Sequence, residues 1–556
     1  MAINKQKLLE ALRAAREKHK IELQPPAPRP AFIGELIETP KYFTSAGWPL
    51  NEEQCMAVKY AEDGQSFCLI GPAGSGKTTT LTEVVSMCIK TIGQENLRYN
   101  SIAIVAFTRR ATANVARAME KINAVRFCKT IHKFLDYAPE FVDYCDPITG
   151  NWKKSRQFVP RVTEFNPSPE TRIVIIEESS MVGYSDLYKQ LRLACPNAIF
   201  IFVGDLNQLK PVFGDSCLGF KLNQLPVVEL TQIYRQAMES PIVAFQHNYV
   251  LKGRYPSEQD LVNITAGGEL KFYKIARSKD EPETVAFRIW NKFLKPQIIS
   301  GEFDPETDMV LCPNNSRCGQ EEFNNYIADY LSKKAGETVY EVIAGIKSYY
   351  LAPGDNIQID KRDAKIIKIQ ENPKYRGKKP RAPSKTIDRW GAEHVDFSLA
   401  GPKTVKAKDL DEFYLAADPD SLEDQEKAPA SHVVSVVWAD DDSATPVILS
   451  TKGELSGISF NYAMTVHRAQ GCEWRKVILL LPPHSARGPL LSRELLYTGM
   501  TRARKYLDVL YVPNTRPGAH DGTIDLAIKR QSIPGRTWQE KAKHFECKLE
   551  NLEWTD

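Results

Sequence analysis

Residues 66–78 read SFCLIGPAGSGKT, a short apolar segment that leads directly into a glycine-rich loop. SFCLI has the length and composition of a buried β-strand, and the next segment, TTTLTEVVSMCIK, has the pattern of a helix. Residues 71–78 match G-x-x-x-x-G-K-[ST] in full. Glycines let backbone N–H groups converge on phosphate oxygens, and a helix N-terminus adds the positive end of its dipole. The stretch therefore predicts a phosphate-binding loop in an α/β fold.

The loop chemistry points to ATP and Mg²⁺ as cofactors. Lys77 is expected to neutralise the β- and γ-phosphates, and the Thr78 hydroxyl to bind Mg²⁺. The residues expected to contact the nucleotide from this loop are Gly71, Gly74, Ser75, Gly76, Lys77, Thr78 and Thr79.

Further strand-sized apolar segments fall into two blocks. The first block holds SFCLI (66–70), SIAIVAF (101–107), RIVII (172–176) and NAIFIFVG (197–204), separated by helix-length segments. The second holds DMVLC (308–312), KVILLL (476–481) and YLDVLYV (506–512). Strands that alternate with helices are typical of parallel sheets covered by helices. The pattern predicts the α/β class, with two such domains.

Two irregular segments interrupt these blocks. Residues 138–159 have extended flanks around a turn at Pro147, Gly150 and Asn151, which predicts a β-hairpin. Residues 345–457 combine short strands with a basic and an acidic run, which predicts a small β-rich domain. The predicted boundaries are an N-terminal helical arm and Pro-rich linker (1–45), a first domain (46–225) that includes the hairpin (about 138–160), a second domain (226–344 and 458–556), and the β-rich insertion (345–457).

Composition narrows the class of protein. A chain of 556 residues is too long for one core, and 42% hydrophobic with 26% charged residues is ordinary for a globular protein. No apolar run is long enough to span a bilayer and residues 1–10 lack the apolar core of a signal peptide, so we expect a cytoplasmic protein without a membrane partner. The net charge of +4 neither indicates nor excludes nucleic-acid binding.

The segment VIIEESSM (174–181) ends a predicted core strand with two adjacent glutamates. Exposed glutamates after a strand are common, so these eight residues alone allow a purely structural reading. The complete phosphate loop changes that balance, because such loops work beside a second strand that ends in carboxylates. We therefore expect Glu177 to hold Mg²⁺, through water, and Glu178 to act as general base on the attacking water.

Ordered motifs between residue 50 and about residue 505 resemble those of the superfamily-1 DNA helicases, in the RecD/Dda-like branch (superfamily 1B). The matching segments are LNEEQ (50–54), AFTRRAT (106–112), KTIHKF (129–134), EESSM (177–181), GDLNQLKPV (204–212), LTQIYRQ (230–236), YAMTVHRAQGCEW (462–474) and LLYTGMTRARK (495–505). They resemble the Q motif and motifs Ia, Ib, II, III, IV, V and VI in that order. Two positions depart from the family pattern: Glu177 stands where the family has Asp, and Lys210 replaces a proline.

The resemblance implies two RecA-like domains and a role for each motif residue. Gln54 would read the adenine edge, and Gln208 would contact the γ-phosphate and report its hydrolysis. Arg235 and Arg502, from the second domain, would stabilise the charge of the transition state. ATP would then close the cleft between the domains and hydrolysis would open it.

The same resemblance implies a single-stranded nucleic-acid path across both domains. The residues expected along it are Phe107, Thr108, Thr130, His132 and Lys133 on the first domain, and Asn315, Thr465, His467 and Arg468 on the second. The hairpin resembles a strand-separation pin, and the β-rich insertion resembles an SH3-like domain. Trp152, near the hairpin turn, is either a wedge against the duplex or a surface residue that packs across the hairpin.

These features predict an ATP-dependent helicase that moves 5′ to 3′ on single-stranded DNA and unwinds duplex. The expected partners are single-stranded and forked duplex DNA and proteins of DNA replication or DNA repair, with the chain acting as a monomer. One alternative is a translocase that strips bound proteins from the strand or acts on RNA. A second alternative, a non-hydrolysing ATP-gated binding protein, leaves the arginines of motifs IV and VI without a purpose.

Overall fold

A computed structural model describes most of the chain from residue 42 to residue 549. The described residues are 42–45, 47–145, 152–212, 214–233, 239–275, 282–316, 318–345, 347–359, 362–387, 389, 427–439, 445–481, 491–511 and 522–549. The predicted N-terminal helix, the turn of the hairpin, the acidic run at 409–426 and Arg235 lie outside these residues.

The fold alternates strands and helices over most of its length. The helices are α1 (Glu52–Glu62), α2 (Lys77–Ile92), α3 (Arg109–Met119), α4 (Ile131–Phe134), α5 (Lys189–Ala194), α6 (Cys217–Lys221), α7 (Pro241–Phe245), α8 (Glu258–Thr265), α9 (Pro282–Ile289), α10 (Lys295–Ser300), α11 (Gln320–Ala335), α12 (Arg493–Met500), α13 (Gly522–Lys529) and α14 (Trp538–Leu549). The strands are β1 (Phe67–Ile70), β2 (Ile102–Ala106), β3 (Cys128–Thr130), β4 (Tyr137–Cys145), β5 (Trp152–Pro160), β6 (Ile173–Glu177), β7 (Ile199–Gly204), β8 (Val227–Glu229), β9 (Leu270–Lys274), β10 (Met309–Cys312), β11 (Tyr340–Ala344), β12 (Lys347–Leu351), β13 (Asn356–Ile359), β14 (Arg362–Glu371), β15 (Pro429–Trp438), β16 (Val447–Thr451), β17 (Ser459–Phe460), β18 (Ala463–Thr465), β19 (Trp474–Leu480) and β20 (Ala503–Tyr511).

The first sheet is parallel, with strand order β3-β2-β6-β7-β1-β8. Its central strands are apolar on both faces because each face carries helices: every residue of β1 and β2 is buried. Two hydrophobic cores result. The first contains side chains of α1 and α2, and the second contains side chains of α5, α6 and α14. The carboxyl ends of all six strands therefore meet at one edge, where the phosphate loop follows β1.

The second sheet is also parallel, with strand order β18-β10-β19-β20-β9. Helices α7, α12 and α13 pack in the core of one face, and α9 to α11 pack in the core of the other. The prediction of an α/β fold with two parallel-sheet domains is thereby confirmed.

Helix α14 does not pack in the domain to which the sequence assigned it. The boundary 458–556 assigns it to the second domain, but its apolar side packs into the core of the first: Phe545 lies 5.3 Å from Phe220 between ring centroids, and Ala542 is buried there as well. An amphipathic helix pattern indicates that one face is buried and does not say against which sheet, so the sequence could not reveal this return.

Both insertions contain antiparallel strands. β4 and β5 pair from Tyr137 with Pro160 to Cys145 with Trp152, as a hairpin at residues 138–159 requires. The second insertion forms a five-stranded sheet in the order β16-β15-β14-β13-β17, beside the pair β11 and β12. Its β-rich character matches the prediction, while an SH3-like fold stays a prediction. Among the described helices, none combines the length and the apolar character needed to cross a membrane.

Candidate functional site

The loop at residues 71–78 has a backbone that only glycine tolerates easily. Gly74 and Gly76 have φ of 81° and 83°, in the left-handed region. A Cβ on Gly71 would lie 2.5 Å from the Ser75 hydroxyl oxygen and 3.0 Å from the Leu230 carbonyl oxygen. Ser75 is buried and donates to the carbonyl of Pro72 at 2.9 Å, which holds the loop closed on itself. The glycines of the motif are thus required by the loop's shape.

Lys77 opens helix α2 and folds back over the loop. Its Nζ donates to the carbonyls of Gly71 at 2.5 Å and Pro72 at 3.0 Å. Thr78 and Thr79, the next residues of the helix, are exposed. The ammonium and the first turn of the helix therefore face the same concavity, as the capture of a phosphate group requires.

Glu177 and Glu178 lie where β6 ends. Glu178 adopts φ 51°, a left-handed backbone that is uncommon for a residue other than glycine and is often found at functional sites. Glu177 Oε2 is buried without a hydrogen-bond partner. Burial, and then the charge of Glu178, raises the pKa of Glu177 to about 8, while the Lys77 charge opposes the shift. A cation bound to this carboxylate would restore its charged form.

Gln208 lies in the loop after β7. The residue is buried, and its Oε1 has no hydrogen-bond partner. The neighbouring Leu209 is held by the second domain on both sides of its backbone. Its N–H donates to Thr498 Oγ1 at 2.9 Å, and its carbonyl accepts from Gln470 Nε2 at 2.9 Å.

Arg502 follows helix α12 and is almost fully buried. Its Nη1 donates to the Cys472 carbonyl at 3.2 Å, its Nε to the Thr498 carbonyl at 3.0 Å, and its Nη2 to Thr501 Oγ1 at 2.8 Å. These bonds fix the direction of the guanidinium, so that its charge is positioned before any phosphate arrives.

A cavity of about 900 Å³ joins these groups. Its lining includes most of the predicted nucleotide and metal residues from the first domain and Arg502 from the second: Gln54, Gly74, Ser75, Gly76, Lys77, Thr78, Thr79, Glu177, Glu178, Gln208 and Arg502. A buried acceptor without a partner costs roughly 1–3 kcal/mol, and two of them, Glu177 Oε2 and Gln208 Oε1, belong to residues that line this cavity. A hydrated cation supplies the positive charge and the water donors that these oxygens lack, and Lys77 with the N–H groups of the loop supplies the charge and donors that a triphosphate needs, so the residues fit Mg²⁺ and ATP.

Gln54 has a local role in addition to any contact with a base. Its Oε1 accepts from the Asn51 N–H at 3.1 Å, and its own N–H donates to Asn51 Oδ1 at 2.8 Å, which caps helix α1. Adenine recognition would therefore share this side chain with helix capping. Trp48, a residue not predicted from the sequence, also lines this cavity, with 72% of its surface exposed.

The residues of the first domain that are predicted to contact single-stranded nucleic acid lie at the ends of adjacent β-strands. β2 and β3 pair with Ala106 opposite Thr130, so the residues that follow each strand are neighbours. The rings of Phe107 and His132 lie 6.0 Å apart, and Lys133 is exposed. The hydroxyls of Thr108 and Thr130 also cap helices α3 and α4, which gives both residues a structural role as well.

The second domain repeats this arrangement. Cys312 of β10 is opposite Thr465 of β18, so Asn315 and the segment that contains His467 and Arg468 leave the sheet side by side. Asn315 and Arg468 are exposed. Burial lowers the pKa of His467, so its ring is neutral at physiological pH. The Arg468 guanidinium donates to Gln358 and, at 3.4 Å, to Gln320.

Arg110, likewise not predicted as a site residue, connects the first domain to the antiparallel sheet. Its Nε donates to Asp363 Oδ2 at 2.8 Å, and its guanidinium lies 5.5 Å from the centre of the Trp474 ring. No local pattern could indicate this partner, because Asp363 is 253 residues away in the chain. Two other predicted residues have no contacts that can be described. Arg235 lies outside the described residues, and for Trp152 the structure describes the backbone only.

Comparison with known proteins agrees with this arrangement. Residues 54–214 match an AAA domain family, and residues 460–510 match the UvrD-like helicase C-terminal domain. The chain is 38% identical over 474 residues to the RecBCD enzyme subunit RecD of Buchnera aphidicola subsp. Schizaphis graminum, covering 79% of this chain and 69% of that protein. It is 26% identical over 457 residues to the ATP-dependent RecD2 DNA helicase of Deinococcus radiodurans, covering 82% of this chain.

The chain spans about half the length of the Deinococcus relative, 48% of it. Among solved structures, the Pif1 helicase from Bacteroides in complex with ADP-AlF3 and single-stranded DNA gives a TM-score of 0.45 at 15% identity, covering 90% of this chain and 97% of that one. The chain has two RecA-like parallel-sheet domains with the ordered motifs at their cleft, and it matches a RecD relative over two thirds of that relative's length. It therefore belongs to the RecD-like branch of the superfamily-1B helicases.

Proposed function

We propose that this chain hydrolyses ATP to move 5′ to 3′ along single-stranded DNA and to unwind duplex ahead of it. The observation that carries the proposal is the single cavity in which Lys77 and the two glutamates of the first domain meet Arg502 of the second. Residues on both sides of one nucleotide site make hydrolysis and domain movement a single event.

Each residue of the cavity has a defined part in hydrolysis. Lys77 would neutralise phosphate charge, and Thr78 with Glu177 would hold the Mg²⁺ ion, which screens the γ-phosphate when bound. Glu178 would orient the water and take its proton. Arg502, together with Arg235, would stabilise the charge that spreads over the transferred phosphoryl group. Gln208 would sense that group from a loop whose next residue is hydrogen-bonded to the second domain.

The nucleic acid would cross the carboxyl ends of both sheets. The first sheet offers Phe107, Thr108, Thr130, His132 and Lys133 there, and the second offers Asn315, Thr465, His467 and Arg468. Rings and hydroxyls contact bases and phosphates without reading sequence, which suits a motor that must release each contact.

The direction of movement is the sharpest test of this proposal. We expect unwinding of a duplex with a 5′ single-stranded tail, in the presence of ATP and Mg²⁺, and no unwinding of the matched duplex with a 3′ tail. The RecD-like motifs support this polarity. A chain that unwinds only the 3′-tailed substrate would contradict it. Displacement of streptavidin from the 3′ end of a biotinylated strand, without duplex unwinding, would favour the protein-stripping translocase, and equal activity on RNA would broaden the substrate.

The hairpin β4–β5 is proposed as the wedge that separates the strands. Opening each base-pair step costs about 1 to 2 kcal/mol, and an aromatic ring that replaces the lost stacking offsets part of this cost. Trp152 is the first residue of β5. Trp152→Ala should slow unwinding about threefold to tenfold and leave ATP hydrolysis on single-stranded DNA almost unchanged. Equal loss of both activities, or of neither, would show that Trp152 is not the wedge.

A further inference from the structure

The second domain contacts the phosphate loop at Ala73, a position that the motif leaves unspecified. Tyr497 of helix α12 accepts a hydrogen bond from the Ala73 N–H at 2.9 Å. His247 Nε2 lies 3.2 Å from the Ala73 carbonyl oxygen. Tyr497 is fully buried, and Ala73 itself lines the nucleotide cavity beside Gly74. The two domains are therefore joined at the edge of the nucleotide site by specific polar contacts.

The Tyr497 hydroxyl also has a proton to donate, and it donates to Asp205 Oδ2 at 2.7 Å. Burial, followed by the nearby Asp205 charge, holds the pKa of Tyr497 well above its usual value, so the phenol stays protonated. A phenol can accept from one group and donate to another at the same time. Tyr497 uses both capacities, and in doing so it links the phosphate loop to the loop after β7.

The network continues to the C-terminal helix. Asp205 Oδ1 accepts from the N–H of Asn207 at 2.9 Å and from its side-chain amide at 3.0 Å. Asn207 Oδ1 in turn accepts from Lys541 Nζ at 2.8 Å, and the same ammonium donates to the Leu206 carbonyl at 3.0 Å. Lys541 belongs to α14 and is buried, so its charge is placed under this loop at a cost that these bonds offset.

These contacts enclose Gln208. On one side the loop is held by the bonds from Tyr497 and Lys541, and on the other Leu209 is held by Thr498 and Gln470. The side chain between these anchors lines the nucleotide cavity. The loop on both sides of Gln208 is therefore held by residues of helices α12 and α14 and by Gln470.

We propose that Tyr497 is a positioning residue that couples the phosphate loop to Gln208 and to the second domain, through the continuous hydrogen-bonded path from Ala73 through Tyr497, Asp205 and Asn207 to Lys541. The inference rests on the proposed function. Its consequence is that a nucleotide-induced change at the loop reaches helix α12 through the phenol as well as through the arginines. In a buried network each hydrogen bond polarises the next, so the removal of one member also weakens the bonds that remain.

Tyr497→Phe removes the hydroxyl and keeps the ring. We expect DNA-stimulated kcat to fall by about tenfold or more, since a buried N–H and a carboxylate oxygen lose a partner. The dissociation constant for a fluorescent non-hydrolysable ATP analogue should change by less than about threefold, because the phosphate-binding amides and Lys77 are untouched. The measurements are steady-state hydrolysis with and without single-stranded DNA, and nucleotide titration without DNA.

Tyr462→Phe is the matched control. Tyr462 is also buried, and its phenol also accepts from a backbone N–H, that of Asn356 at 2.9 Å, but at the antiparallel sheet. Its loss should lower the melting temperature without a selective fall in kcat. If Tyr462→Phe and Tyr497→Phe reduce kcat equally, or if Tyr497→Phe weakens nucleotide binding as much as it lowers kcat, the phenol has only a structural or binding role and the proposal is overturned.

A second pair of variants tests the far end of the path. Lys541→Met keeps the aliphatic stem and should lower DNA-stimulated kcat about threefold to tenfold, whereas Lys548→Met, on the same helix with a partly exposed ion pair to Asp215 at 2.9 Å, should not. Wild-type kcat in both Tyr497→Phe and Lys541→Met would overturn the relay alone. A wild-type chain whose hydrolysis does not respond to DNA would overturn the proposed function, and the relay with it.

Discussion

Lys77→Ala should reduce ATP hydrolysis by about a hundredfold to a thousandfold or more, because it removes the positive charge that is proposed to neutralise the phosphates. The fold should survive this change. The Nζ of Lys77 bonds to carbonyls of its own loop, Gly71 and Pro72, and alanine is a good residue for the first position of helix α2. The measurement is steady-state hydrolysis in the presence of single-stranded DNA, together with thermal unfolding of both proteins.

Lys90→Ala is the matched control for this change. Lys90 lies in the last turn of the same helix and is exposed, so it shares the charge and the helix with Lys77 but not the cavity. Its replacement should leave hydrolysis within about twofold of wild type, as expected for a surface substitution. DNA-stimulated turnover retained by Lys77→Ala would contradict the assignment of the loop as the catalytic phosphate site.

The parts of the fold that could be predicted from the sequence are those with a long apolar signal. β1, β2 and β7 lie within the predicted segments because buried parallel strands are apolar on both faces, and β6 extends one residue beyond its own, to Glu177. β3, β8 and β18 have three residues each and leave no comparable signal. They matter nonetheless, since β3 and β18 place the predicted nucleic-acid contacts Thr130 and Thr465 beside β2 and β10.

The residues of the candidate site also fall into those that could be predicted from the sequence and those that could not. Lys77 could be predicted from the spacing of its own loop, and Glu178 from a strand that ends in two carboxylates, taken together with that loop. Tyr497 could not, because its partner Ala73 is 424 residues distant in the chain. Lys541 lies outside every motif, and a lysine in an amphipathic helix is ordinarily read as solvated. Long-range polar pairs depend on how the two sheets and helix α14 come together, and no local pattern encodes that.

The adjacent glutamates are expected to have unequal roles, because their surroundings differ. Glu177 ends a buried strand, and its Oε2 has neither a hydrogen-bond partner nor access to solvent. Its raised pKa, about 8, means that at neutral pH the carboxyl is protonated until a cation replaces the proton. Glu178 follows with a left-handed backbone. A residue that only holds a metal ion tolerates a change of length better than one that must align a water and accept its proton.

Glu178→Gln should therefore lower DNA-stimulated hydrolysis by about a hundredfold to ten-thousandfold, since the amide keeps the shape but cannot accept the proton. Binding of ATP should persist, which a nucleotide titration of the same variant can show.

Glu177→Asp should remain active, because it keeps the carboxylate and shortens the side chain by one methylene, giving the residue that the family normally has at this position. Glu120→Gln serves as the control: this carboxylate is exposed and is not among the residues that line the cavity, so its loss should have little effect. If Glu177→Gln and Glu178→Gln prove equally mild, the two glutamates are not the catalytic pair, and the end of the strand at residue 177 has only a structural role.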